Sequence, residues 1–338
     1  MGQYPKIINN QYLIIREVGS GGFYTVYKAW DNMLHKIVAV KKIHKEYSNE
    51  PKYIHMFRKE AVDTAKLEHR NIVRVVNFTR DEEGGVYIIM DYVKGADLQY
   101  LINKCRRNSI KIPPEVALYM IAEVIKAFDY AHNARDELTN EPLNIVHRDV
   151  SPGNVMLYFD GRIKLTDFGI AKIREESSLR KNIKEDKLKV KISYMSPELA
   201  ELRENIDPRS DLFSCGSLIY ELLTGHKAFD AGSDVAIWQK VRKVDADFSR
   251  FEELDIPDIL QNIIKKTLIK SPDKRYQSAA EMFVDIKRYL SKKGTTEKLQ
   301  EQYKTFINKI LSDEIKTLRK EMDEDSKNDF RLPFNMSA

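Results

Sequence analysis

The sequence predicts an α+β fold of two lobes, the first rich in strands and the second rich in helices. Residues 12–18, 25–30 and 36–43 are short runs of β-branched and aromatic residues, divided by glycines and by Asp31-Asn32. Beyond Gly95 the period changes, and Leu118, Ile121, Val124, Ile125 and Phe128 recur at helical spacing. A strand-rich half followed by a helix-rich half needs two packed bodies, with a candidate cleft between them.

Taken in order, the three N-terminal strands are followed by a helix over residues 52–67. Residues 73–78 and 86–92 read as two more strands, separated by the turn Asp81-Glu82-Glu83-Gly84-Gly85. Pro113-Pro114 opens the first long helix of the second half. A second helix is expected over 211–223, capped by Ser210 and ended by Gly225. Two more are expected over 257–270 and 278–290. Residues 291–338 are charged, and Leu299, Tyr303, Phe306, Ile310 and Leu318 fall near helical spacing. They predict one amphipathic helix over 297–322 and a disordered end. That helix is expected to pack on the second lobe, with a partner or dimer contact as the alternative.

Composition excludes several classes. No apolar run approaches the ~20 residues that cross a bilayer, so no membrane span is expected. Met1-Gly2-Gln3-Tyr4-Pro5-Lys6 has no apolar segment of a signal peptide and no Ser or Thr at position 6 for a myristoylation signal. A net charge of +5 over 338 residues, without a basic stripe bearing stacking aromatics, gives no case for nucleic acid. The two cysteines, Cys105 and Cys215, have no metal or redox spacing, which suits reduced thiols in the cytoplasm.

The chemistry-bearing motifs come in a fixed order. Gly19-Ser20-Gly21-Gly22-Phe23-Tyr24-Thr25-Val26 lies between two predicted strands, where glycines let backbone amides approach phosphates. Val38-Ala39-Val40-Lys41 follows, and a strand lysine can neutralise phosphate charge. Glu60, on the next helix, is the natural carboxylate to hold it. Farther on stand His147-Arg148-Asp149, then Asn154, then Asp167-Phe168-Gly169. Asp149 can accept the proton of an attacking hydroxyl, and Asn154 and Asp167 are hard oxygen donors suited to Mg²⁺.

Over residues 12–290 this ordered set resembles the protein kinase superfamily. The resemblance implies a kinase domain over 1–290, with an N-lobe of about 1–92 and a C-lobe of about 93–290, and a separate tail over 291–338. It makes Lys41, Glu60 and Asp149 catalytic, and Asn154 and Asp167 the Mg²⁺ ligands. It assigns ATP to Val18, Gly19, Ser20, Gly21, Gly22, Phe23, Val26, Ala39, Lys41 and Met156, with Met90 as gatekeeper and the backbone of Asp91 and Val93 meeting adenine. Ser196-Pro197-Glu198 resembles the end of the activation segment, and Arg275 is the expected partner of Glu198. The phrases from His147 to Pro152 and from Tyr194 to Glu198 are most similar to bacterial eukaryotic-like Ser/Thr kinases, so the implied substrates are proteins.

Some positions depart from the family pattern. Tyr24 replaces the third glycine of the loop. Ser151 stands where a lysine is usual, and Val190-Lys191 where Gly-Thr is usual. The last two suggest an exchanged pair, with the hydroxyl at Ser151 and the active-site cation at Lys191. Ser177 and Ser178, flanked by Arg174, Arg180 and Lys181, are candidate phosphorylation sites. The rival readings are a nucleotide-binding pseudokinase scaffold and a small-molecule phosphotransferase. Lys41, Asp149, Asn154 and Asp167 together weigh against the first, and the Glu198–Arg275 platform weighs against the second.

Overall fold

A computed structural model of the chain describes residues 6–168 and 191–327. The strands are β1 (Ile7–Ile8), β2 (Tyr12–Ser20), β3 (Tyr24–Asp31), β4 (Lys36–Ile43), β5 (Val75–Arg80), β6 (Val86–Asp91), β7 (Gly95–Asp97), β8 (Val155–Tyr158) and β9 (Ile163–Leu165). The helices are α1 (Pro51–Ala65), α2 (Leu98–Arg107), α3 (Pro114–His132), α4 (Pro197–Ala200), α5 (Arg209–Thr224), α6 (Asp234–Lys243), α7 (Arg250–Glu253), α8 (Asp258–Thr267), α9 (Ala279–Ser291), α10 (Thr296–Ile310) and α11 (Ser312–Lys327). They form two compact units: β1–β6 with α1 and α11, and β7–β9 with α2–α10.

In the first unit the antiparallel sheet runs β1-β2-β3-β4-β6-β5. Strand alternation sorts its residues onto two faces. Ile14, Ala29, Val38, Val40, Tyr87 and Ile89 form the apolar cluster of one face. The intervening residues Val26, Ala39, Lys41 and Met90 therefore share the other, and the register pairs Val26 with Lys41 and Ala39 with Met90.

In the second unit α3 is buried on nearly every side, which its near-continuous apolar run requires. It packs against α5, α9 and α10. The small sheet β7-β8-β9 brings the segments after His147 and before Asp167 side by side. Gly225 ends α5 with φ 73°, a left-handed conformation that glycine adopts without steric cost.

Several elements differ from the sequence expectation. Helix α5 begins before Ser210, because the Asp207 carboxylate accepts the Arg209 N–H at 2.9 Å. Ser210 is therefore not the cap, and its hydroxyl donates to Glu198 instead. The expected single helix over 297–322 is two helices, broken at Leu311. The apolar stripe of α10 (Leu299, Tyr303, Ile307, Ile310) is buried within the second unit. Helix α11 joins the first unit, where Glu321 and Asp325 bind Arg16 and Lys28. The first unit thus carries a second substantial helix, where one was expected.

Candidate active site

In the first unit Lys41 is 1% exposed and its Nζ lies 2.7 Å from Glu60 Oε1. Both charges are buried, and a short ion pair is the arrangement that makes such burial tolerable. The Tyr24 ring centroid lies 4.0 Å from the same ammonium, and Phe57 lies 5.9 Å away. A Cβ built at Gly19 would meet nothing within 4 Å, so the chain keeps open space beside this backbone. Phe23 is buried against Tyr47 and Tyr53, with ring centroids 4.7 and 6.4 Å apart. Ser20 Oγ lies 3.4 Å from Thr25 Oγ1, which lies 3.1 Å from His44 Nε2. Val18 is exposed and Val26 half-buried, while Ala39 and Met90 are buried side by side. The Asp91 N–H donates to Arg74 O at 3.0 Å, so a ligand could meet only its carbonyl.

In the second unit the fully buried Asp211 organises the loop that carries Asp149. Its Oδ2 accepts the His147 N–H at 2.9 Å and its Oδ1 the Arg148 N–H at 2.8 Å. His132 Nε2 also lies 2.9 Å from Oδ2. These contacts hold Arg148 at φ 63°, a strained conformation that persists only where its surroundings impose it. The His147 Nδ1 accepts the Asp149 N–H at 3.3 Å, which places the ring proton on Nε2, facing Thr166 O at 2.9 Å. His147 thereby ties the Asp149 loop to the strand end that leads to Asp167.

Asp149 Oδ2 accepts from Asn154 Nδ2 at 3.0 Å and from Lys191 Nζ at 2.7 Å. Asn154 Nδ2 also donates to Asp149 O, so the opposite side of its amide presents Oδ1 as an acceptor. The Thr166 N–H donates to Asn154 O at 3.0 Å, which brings the neighbour of Asp167 against Asn154. One amide oxygen and one carboxylate suit Mg²⁺, which keeps several waters and takes few protein ligands. No group of three or more His, Cys, Asp and Glu with metal-binding geometry occurs among the described residues, so no all-protein cage competes. Met156 lies on β8 opposite Asp97 and is half-buried.

The segment bearing Lys191 is anchored from below. Tyr194 is buried and its hydroxyl donates to Glu221, whose other oxygen takes Arg106 at 2.9 Å. Burial, then the Glu221 charge, pushes the Tyr194 phenol well above its usual range, so it remains a donor. Glu198 takes two bonds from Arg275, at 2.6 and 2.8 Å, and one from Ser210 at 2.6 Å. Burial alone would raise the Glu198 carboxyl, but the Arg275 bonds and charge hold it below the usual range.

Lys41 with Glu60, and Asp149 with Asn154 and Lys191, are thus brought together within their own units. Ser151 is buried, and its Oγ has no hydrogen-bond partner among the described residues. Gly169, Ser177 and Ser178 lie outside the described residues. Sequence reasoning missed the Tyr24 ring above Lys41 and the use of Asp211 as the loop's anchor. The first was readable from alternation, since Tyr24 and Val26 share a face and Val26 pairs with Lys41. The second had no local signal, because Asp211 lies 64 residues from His147.

The model of the protein kinase domain matches residues 12–287. The probable serine/threonine-protein kinase SCO3848 of Streptomyces coelicolor is 38% identical over 290 residues, covering 85% of this chain and 41% of that protein. Serine/threonine-protein kinase PrkC of Bacillus subtilis is 33% identical, covering 83% of this chain and 41% of that protein. The chain therefore spans about two-fifths of the length of these curated relatives. The kinase domain of PknI from Mycobacterium tuberculosis superposes with a TM-score of 0.64 at 22% identity, over 85% of this chain and 99% of that domain, and shares the fold. No described helix is long and apolar enough to cross a membrane.

Proposed function

Because the chain belongs to the protein kinase family, we propose that it transfers the γ-phosphate of ATP to serine or threonine hydroxyls of proteins. The observation that carries this reading is the held state of Asp149: buried, oriented by Asn154, and paired with a cation at 2.7 Å. A general base must be fixed within reach of the proton it takes, and Asp149 is fixed by contacts within its own unit. In this reading Asp149 accepts the proton of the substrate hydroxyl as the new oxygen–phosphorus bond forms. The bond from phosphorus to the β-phosphate oxygen breaks, and ADP leaves. Lys41, oriented by Glu60, meets the phosphates of the nucleotide. The loop from Val18 to Phe23 covers them with backbone, while Val26, Ala39 and Met90 offer apolar surface to adenine beside the backbone of Asp91 and Val93. Asn154 and Asp167 would hold Mg²⁺, which when bound neutralises charge on the phosphate oxygens.

Lys191 supplies the cation that the family usually places at position 151. Its stem reaches the base from another segment, as a flexible four-carbon chain can. In this reading Ser151 and Lys191 are an exchanged pair, with the hydroxyl at 151 and the cation delivered from 191.

The test is incubation of the purified chain with [γ-³²P]ATP, Mg²⁺ and a generic protein substrate, followed by phosphoamino-acid analysis. Label on serine or threonine, lost in Asp149→Asn, is the expected result. Nucleotide binding without any transfer would establish the scaffold reading instead.

A further inference from the structure

Position 24 carries a tyrosine, the first residue of β3, directly after the turn Gly21-Gly22-Phe23. The β3–β4 register pairs Tyr24 with Ile43 and Val26 with Lys41, so Tyr24 is the diagonal neighbour of Lys41 on the same sheet face. An aromatic ring spans that diagonal, and the Tyr24 centroid rests 4.0 Å from Lys41 Nζ. That is contact distance for an ammonium over the electron-rich face of a ring. The backbone on either side is anchored. Gly21 N–H donates to Tyr24 O at 2.8 Å, and Phe23 is locked against Tyr47 and Tyr53. The ring's place over Lys41 is thus set by its neighbours.

A phosphate oxygen must approach an ammonium to about 2.7–2.9 Å to form a charge-assisted bond. It cannot do so through the side that the ring covers, and Lys41 is only 1% exposed. We propose that Tyr24 is a gate on the Lys41 ammonium: its ring must leave Lys41 before nucleotide phosphate can reach it. Position 24 then sets the affinity for phosphorylated nucleotides while leaving adenosine recognition untouched. This rests on the nucleotide-binding reading above. The phosphate wins the exchange because a full negative charge attracts the ammonium more strongly than a ring quadrupole does. Affinity is nonetheless reduced by the contact that must be broken.

Isothermal titration with Mg·ADP and, separately, with adenosine tests the gate in three forms of the chain. Tyr24→Leu keeps an apolar side chain but removes the ring face, and should tighten ADP roughly three- to thirtyfold, the range of cation–π contacts. Tyr24→Phe keeps the face and should match the unaltered chain. Adenosine affinity should be equal in all three, which also reports that the variants are folded. Unchanged or weaker ADP binding in Tyr24→Leu overturns the gate, as does equal tightening of adenosine or a Tyr24→Phe that behaves like Tyr24→Leu. If the unaltered chain binds neither ligand, the nucleotide reading itself fails and the gate with it.

Discussion

Replacing Arg275 by methionine should destabilise the chain by about 3–5 kcal/mol, the usual cost of stranding one member of a buried ion pair. The structure places this pair toward the upper end. Both side chains are buried, the contact is bidentate, and Arg275 also donates to the carbonyls of Ile269 and Lys270 at 2.6 and 2.9 Å. Those acceptors lose their donors along with the carboxylate. The effect should depend on pH. In the unaltered chain Glu198 is held below its reference value of 4.5, so the stability it lends is present above that pH and lost as acid titrates the folded carboxyl. In Arg275→Met burial, the Ser210 hydroxyl and the backbone N–H of Glu198 are left to act on the carboxyl, and burial, the largest of these, favours the protonated acid. The deficit should therefore be largest at pH 7 and shrink at pH 5. Urea denaturation followed by far-ultraviolet circular dichroism at the two pH values measures both quantities. The double variant Glu198→Leu/Arg275→Met should recover at least half the loss, because no unpaired charge remains buried. A single-variant cost below about 1 kcal/mol, or strictly additive losses in the double variant, would refute the reasoning.

Other expectations concern turnover and the role of α11. Asp149→Asn should keep ADP affinity within a few-fold while phosphate transfer falls by ~10²–10⁴, as measured by ³²P incorporation. Lys191→Ala should lower kcat by ~10², the cost of losing one preorganised electrostatic group; Lys187→Ala and Lys189→Ala serve as controls, and equal effects in all three would remove Lys191 from the site. Asp325→Asn should lower stability by about 1–2 kcal/mol. Its partner Lys28 is only 3% exposed and the pair is 2.6 Å long, while the partial exposure of Asp325 brings the cost below that of a fully buried pair. The shift should weaken in 1 M salt, and a thermal midpoint identical to the unaltered chain would deny α11 any hold on the sheet.

What the sequence determined by itself was the chemistry and most of the local structure. A glycine turn, a strand lysine, His147-Arg148-Asp149, Asn154 and Asp167 are legible because their chemistry demands those residue types at short, fixed spacing. Strands β3, β4 and β6 were legible because β-branched and aromatic residues crowd into short runs bounded by turns, and α3 because its apolar period is long. Tertiary structure decided whatever depends on partners distant in the chain. Ser210 reads as a helix cap from its neighbours, yet its hydroxyl serves Glu198 and the helix already starts at Arg209. The tail reads as one amphipathic helix, but the apolar stripe of α10 is buried in the second unit. The acidic face of α11 pairs with Arg16 and Lys28, some 300 residues earlier. Such pairings carry no local signal, because a carboxylate on a helix surface looks the same whether it faces water or a buried lysine. The cation beside Asp149 follows the same rule. Position 151 lost its lysine in plain view, but only folding could bring Lys191, 42 residues away, to 2.7 Å from Asp149.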